Sequence, residues 1–211
     1  MPDTIIQPSF TVGALQGPFS NGAIVNMALG PHAEGLVSQL EARYRMAVRN
    51  GRVYFAANQA TQAISVALNT TYTGCCVYNP VTSKKNLSIL MVSFSPWSAP
   101  ATIVSIGLLG GWSAAGVVTH TAALTVYNAK TLKSDTGGYG GADSQATIVG
   151  TPIWLTMLNS ANTNNALPTG NSPVFHDIGG AIEVPPGGYV AIGAQTAVSG
   201  VSSILWSEVD P

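Results

Sequence analysis

The sequence predicts an all-β fold, a β-sandwich or jelly roll with an extended N-terminal arm, and three observations predict it. About ten short runs rich in β-branched and aromatic residues recur along the chain, bounded by Gly, Pro, Asn or Ser. No long amphipathic helical stretch is present to cover a sheet, so strand faces must bury against other strands. No segment repeats at a fixed period, which removes propellers and solenoids. A chain of 211 residues is long enough for one such domain to bury a core.

Residues 1–40 form the expected arm, rich in Gly, Pro, Asn and Gln, as in Gln16-Gly17-Pro18 and Leu29-Gly30-Pro31. Within it Ala33–Leu40 places Leu36, Val37 and Leu40 on one side of a candidate short helix, against which Gly35 argues. The jelly-roll domain spans residues 41–211. It opens on a strict alternation, Arg43, Arg45, Ala47 and Arg49 against Tyr44, Met46 and Val48, which predicts a strand. Asn50-Gly51 and Arg52-Val53-Tyr54-Phe55 follow, predicting a type I′ hairpin with Arg49 opposite Arg52.

Further strands are expected at Cys75–Tyr78, Leu87–Phe94, Thr102–Leu109, Ala123–Tyr127, Pro152–Leu158, Ile178–Val184, Tyr189–Ala194 and Ser203–Glu208. Val184-Pro185-Pro186-Gly187-Gly188-Tyr189 marks a hairpin or sharp corner, because proline cannot donate to a ladder and glycine relieves the turn. Leu132–Ala146 and Asn159–Ser172 are long polar segments without strand pattern, the kind of loop that carries recognition on a β scaffold.

Charged residues make up 8% of the chain, against roughly 25% in an ordinary soluble domain. Neutral polar and small residues must cover the surface, and such a surface tolerates close neighbours. The net charge of −1 provides no basic field, so nucleic acid is not an expected partner. Asn86–Ala129 carries no formal charge, yet Pro96, Pro100, Gly107, Gly110, Gly111 and Gly116 interrupt every window, so no membrane span is expected. Met1-Pro2-Asp3-Thr4 lacks a basic start and apolar run, which predicts synthesis in a cytoplasm.

Catalytic chemistry finds little to use. His32, His120 and His176 sit in no nucleophile motif, and His176-Asp177 are adjacent residues whose side chains diverge on a strand. No two of the acids are paired by spacing as a glycosidase requires. Thr136-Gly137-Gly138-Tyr139-Gly140-Gly141 lacks the Lys-Ser/Thr of a phosphate loop and reads as a loop tip. Cys75 and Cys76 point to opposite faces and suit neither a bridge nor a shared metal, so they read as small buried residues. No enzyme activity, metal or cofactor is expected. Arg43, Arg45, Arg49 and Arg52 are half of all Lys and Arg and form the one charge constellation. Arginine forks bind carboxylates in bidentate fashion, so these four are the candidate partner-binding residues, the alternative being a solvated strand face.

Several segments resemble a family of tailed-bacteriophage virion proteins: Glu41-Ala42-Arg43-Tyr44, Arg49–Ala56, Val77-Tyr78-Asn79-Pro80 with Lys85-Asn86-Leu87, Ile182–Ala191 and Leu205-Trp206-Ser207-Glu208. The family's glycine-rich turn after Asn79-Pro80 is here Val81-Thr82-Ser83-Lys84. The resemblance implies a tumour-necrosis-factor-like jelly roll, a homotrimer on the capsid surface of the virion, binding the major capsid protein as a cement or decoration protein. The alternative is a receptor- or glycan-binding head-fibre or tail module, with contacts near Tyr139, Asn162 and Asn165. A β-sandwich hydrolase or lyase is the least supported reading.

Overall fold

A computed structural model of the chain describes residues 9–11, 24–26, 43–64, 70–97, 104–114, 118–134, 138–148, 151–161 and 174–211. The chain divides into two units, residues 1–46 and 47–211. In the first, β1 (Ser9–Thr11) and β2 (Ile24–Asn26) pair antiparallel, with Phe10 opposite Val25. The rest of the expected arm, including the candidate helix over Ala33–Leu40, lies outside the described residues.

The strand expected over Arg43–Arg49 is instead a short helix, α1 (Arg45–Arg49), and no hairpin follows it. Gly51 takes φ 70°; its N–H donates to Val48 O at 2.9 Å and the Arg52 N–H to Ala47 O at 3.1 Å. This bond pair closes a helix on a left-handed glycine. Asn-Gly serves a type I′ hairpin for the same reason, a glycine free to adopt positive φ, so the dipeptide alone does not separate the two.

The second unit contains β3 (Val53–Ala57), β4 (Gln62–Ile64), β5 (Thr71–Tyr78), β6 (Asn86–Pro96), β7 (Val104–Trp112), β8 (Val118–Leu124), β9 (Tyr127–Asn128), β10 (Gly141–Ile148), β11 (Ile153–Ala161), β12 (Val174–Val184), β13 (Gly188–Ala194) and β14 (Val198–Val209). One sheet has the order β11-β7-β13-β5-β10-β8 and the other β12-β6-β14-β3-β9, with β4 also on β14. Set aside β4 and the β8–β10 excursion, and the remaining strands taken in chain order stand first-eighth-third-sixth in one sheet and second-seventh-fourth-fifth in the other. The chain thus crosses between sheets at almost every step, which is the jelly-roll topology of the expected fold class. Among the described residues no helix is long and apolar enough to cross a membrane.

Part of the loop expected over Leu132–Ala146 is β10, paired to β5 on one side and β8 on the other. Its small residues hide the strand pattern, and pairing on both sides supplies what propensity does not.

Between the sheets lies the main core: Val77, Ile106, Leu108, Val190 and Ile192 from one side, Leu87, Ile89, Phe94, Ile204 and Trp206 from the other. Trp206 stacks on Tyr54 with ring centroids 6.2 Å apart. The outer face of the β5–β13–β7 sheet is buried too, by Tyr72, Cys76, Leu109, Ile148, Tyr189 and Ala191 with Trp154 against them. Strands buried on both faces read as continuous apolar runs rather than alternations, and every residue of β13 is buried. That outer layer lies flat on the sheet because glycines leave room for it. A Cβ on Gly107 would stand 2.9 Å from Trp154 Cε3, and one on Gly193 2.5 Å from Leu109 Cδ2 and 3.1 Å from Trp154 Cη2.

Gly193→Ala therefore overpacks the outer layer and lowers unfolding stability by about 1–3 kcal/mol, read as a lower urea midpoint with an unchanged slope. An unchanged midpoint would show that Leu109 and Trp154 yield freely.

Candidate functional site

The four candidate arginines do not share a strand face. Arg45 and Arg49 stand four residues apart on α1, on one helical side, and both are exposed. The Arg43 guanidinium lies 5.5 Å from the centroid of the Tyr44 ring, a cation–π contact. Arg52 is half-buried at the start of β3, where its carbonyl accepts from the Glu208 N–H at 2.9 Å.

Those segments behind the family resemblance that lie in the second unit build one end of the sandwich. Asn79 is fully buried, and its Nδ2 donates to Lys85 O at 2.8 Å and Val184 O at 2.9 Å. Its backbone N–H donates to Gly188 O, and its carbonyl accepts from the Gly187 N–H. One side chain so joins the turn after β5 to the Pro185–Gly188 corner. Buried Glu208 accepts from the N–H groups of Tyr139 (2.6 Å) and Gly140 (3.0 Å), which pins the glycine-rich tip and leaves Tyr139 exposed. Asn162 and Asn165 lie outside the described residues.

All cations of the second unit stand at this same end: Arg49 and Arg52 before β3, Lys84 and Lys85 between β5 and β6, Lys130 and Lys133 after β9. The antiparallel registers require it, because β3, β6 and β13 begin where β5, β9 and β14 finish. The opposite end bears no charged residue among the described ones. Lysines did not stand out in the sequence because they are scattered along it; only the strand registers bring them together.

Two apolar surfaces complete the inventory. Along β11, Ile153, Leu155 and Met157 are exposed, and Ile153 and Leu155 with Trp112 and Pro185 edge a groove of about 280 Å³. On the outward face of the other sheet, one register row runs Tyr127, Phe55, Leu205, Met91 and Asp177 across five strands. The Phe55 and Tyr127 rings stack at 5.5 Å. Phe175, 65% exposed, sits one row further on, beside the hydrogen-bonded Ser93 and Ser203 hydroxyls, and a groove of about 200 Å³ runs between these side chains.

Chemistry-bearing groups are dispersed. His176 and Asp177 follow one another on β12, opposite Val92 and Met91, and so point to opposite faces. Among the described residues no three His, Cys, Asp or Glu side chains gather as a metal site. Cys75 and Cys76 are free and fully buried, one on each face of β5. Burial pushes the Cys75 thiol up to about 12, and burial with the neighbouring Cys75 and Asp143 raises Cys76. Burial also raises Tyr72.

These shifts fix the sign of an alkaline effect. Each raised group keeps its proton in the folded chain above the pH at which the unfolded chain releases it; for Cys75 that stabilisation is present below pH 9 and fades as pH climbs toward about 12. The urea midpoint should fall between pH 9 and 11, and less steeply in the Cys75→Ala/Cys76→Ala double variant; parallel curves would exclude the thiols as the cause.

No protein-family profile, curated protein or solved structure matches the chain.

Proposed function

We propose that the chain is a structural protein of a tailed-bacteriophage particle, a cement or decoration protein that stabilises the head by binding the major capsid protein as a homotrimer. It would be made in the host cytoplasm and sit on the capsid surface, without nucleic acid, membrane, cofactor or enzymatic activity.

The observation that supports this reading best is the presence of two different apolar surfaces, the β11 edge and the outward face of the β12-β6-β14-β3-β9 sheet. Leu155, Ile153 and Trp112 on one and Phe55, Phe175 and Leu205 on the other are costly to leave in water, about 1.5–3 kcal/mol for each large side chain fully covered. Because the surfaces differ, a contact between them is head-to-tail, and such contacts close into rings when the rotation allows. Strand edges do not offer an alternative route. β11 carries register breaks at Trp154/Thr156 and Met157/Asn159, β8 is paired to β10 across breaks at Asp143/Gln145 and Gln145/Ala146, β12 has one between Asp177 and Ile182, and β9 has only two residues. Bulged and short edges resist strand addition, which leaves side-chain faces as the means of assembly.

A second reading, a receptor- or glycan-binding head-fibre or tail module, draws on Trp97, 77% exposed at the uncharged end, and on Tyr139 in its pinned loop. Aromatic platforms of this kind stack on sugar rings.

Light scattering on the purified chain should give three times the chain mass. Leu155→Lys and Phe55→Glu should each lower that mass toward one chain while the far-ultraviolet spectrum stays that of a β protein. Added to shells assembled from the major capsid protein alone, the wild-type chain should raise their thermal resistance. A monomer that leaves bare shells unchanged sinks the reading, and binding to cell-wall glycan instead supports the second.

A further inference from the structure

The turn after β9 combines three features that its fold does not require. Leu132 is 71% exposed, and with φ 57° it is the one non-glycine residue at positive φ among the described residues. Such a backbone is costly for a side chain as large as leucine. Yet the turn is tightly built. Buried Asn128 donates from Nδ2 to Gly51 O at 2.8 Å and accepts the Lys130 N–H on Oδ1 at 2.9 Å. The Leu132 N–H donates to Asn128 O at 2.9 Å, the Asn128 N–H to Lys133 O, and the Ala129 N–H to Val53 O. Exposed Lys130 and Lys133 flank the leucine. A strained conformation held by surrounding bonds, exposing an apolar side chain in a turn that also carries two exposed lysines, is the kind of backbone strain that clusters at ligand clamps and functional sites.

We propose that this turn is a docking knob for an acidic protein surface: Leu132 enters an apolar socket, and Lys130 and Lys133 pair with carboxylates that rim it. The proposal rests on the capsid-binding reading and names the contact and the partner's chemistry. Charge complementarity selects that partner. Arg49, Arg52, Lys84, Lys85, Lys130 and Lys133 share this end with Glu183, Glu208 and Asp210, and Lys85 is paired to Asp210. Among the described residues the end is thus net positive, which suits an anionic partner, and a phosphate backbone would gain nothing from Leu132. A socket with acidic rim residues matches both parts, the lysines setting encounter rate and the leucine setting residence time.

Leu132→Gly and Lys130→Glu/Lys133→Glu separate the roles. Glycine relieves the strain and should raise the thermal midpoint by about 2–4 °C, while weakening binding to shells of the major capsid protein at least about tenfold. The double lysine reversal should leave the midpoint unchanged, weaken shell binding by at least a similar factor at low salt, and make added salt weaken binding less than it does for the wild type. The same proteins are titrated with a soluble glutamate–tyrosine copolymer and with a short duplex DNA. Wild-type binding to the copolymer that both variants lose supports the knob without reference to any virus. Shells that bind wild type and variants equally overturn it while the capsid reading stands. Shells that bind nothing remove the capsid reading, and the copolymer then decides the knob. Preference for duplex DNA over the copolymer overturns the acidic-protein partner.

Discussion

The fold depends on one constraint: the β5–β13–β7 strands are packed on both faces. Their inward side chains fill the space between the sheets, and their outward ones form a second thin layer of Tyr72, Leu109, Trp154 and Tyr189. These rings lie down on the sheet and cover each other. Gly107 and Gly193 make that possible, since a methyl group at either would meet the Trp154 ring. The small-residue content of β7 and β13 is therefore a packing requirement, not an absence of design.

Scarcity of charge follows from the same architecture. With both faces of one sheet committed to apolar packing, polar cohesion is supplied by neutral side chains at the strand ends. Asn79 ties two turns, Asn128 builds a third, and Asn58 accepts the Ser202 hydroxyl at 3.1 Å while its own N–H donates to Ser202 O. Amides can donate and accept at once and are far less costly to desolvate than ions, so they suit buried junctions. Glu208 and Asp143 are the charged exceptions, and each accepts two backbone N–H groups. Cations of the second unit are left to the turns at one end, and the opposite end is neutral among the described residues.

The all-β class and most strands were legible because their runs are long, apolar and bounded by breakers. Three features were not. Local alternation at Tyr44, Met46 and Val48 imitated a strand where Ala47 O and Val48 O close a helix. β10 was hidden because Ala142 and Ala146 are small and Asp143 breaks the register against both neighbours. The arginines were visible as a run, but the grouping of Arg49 and Arg52 with Lys84, Lys130 and Lys133 arises from antiparallel register, which no window of sequence encodes. Conversely, the burial of both adjacent cysteines was correctly anticipated, and the doubly packed β5 gives the reason.

In the second unit, the segments that carry the virion resemblance prove to be structural joints. Asn79-Pro80 and Val184–Gly188 meet through one carboxamide, Trp206 fills the core, and Glu208 holds the loop of Tyr139. Residues that build one end of a jelly roll constrain its shape and say little about what that shape touches. Contact chemistry resides in side chains that the fold leaves exposed: Leu155 and Ile153 on a bulged edge, Phe175 on an open sheet face, and Leu132 in a strained turn. In a chain so poor in charge, these exposed apolar groups exert the largest pull toward a neighbour. The lysine-bearing end adds direction to that pull, because it is the one pole of the sandwich where an electrostatic field can orient an approaching surface.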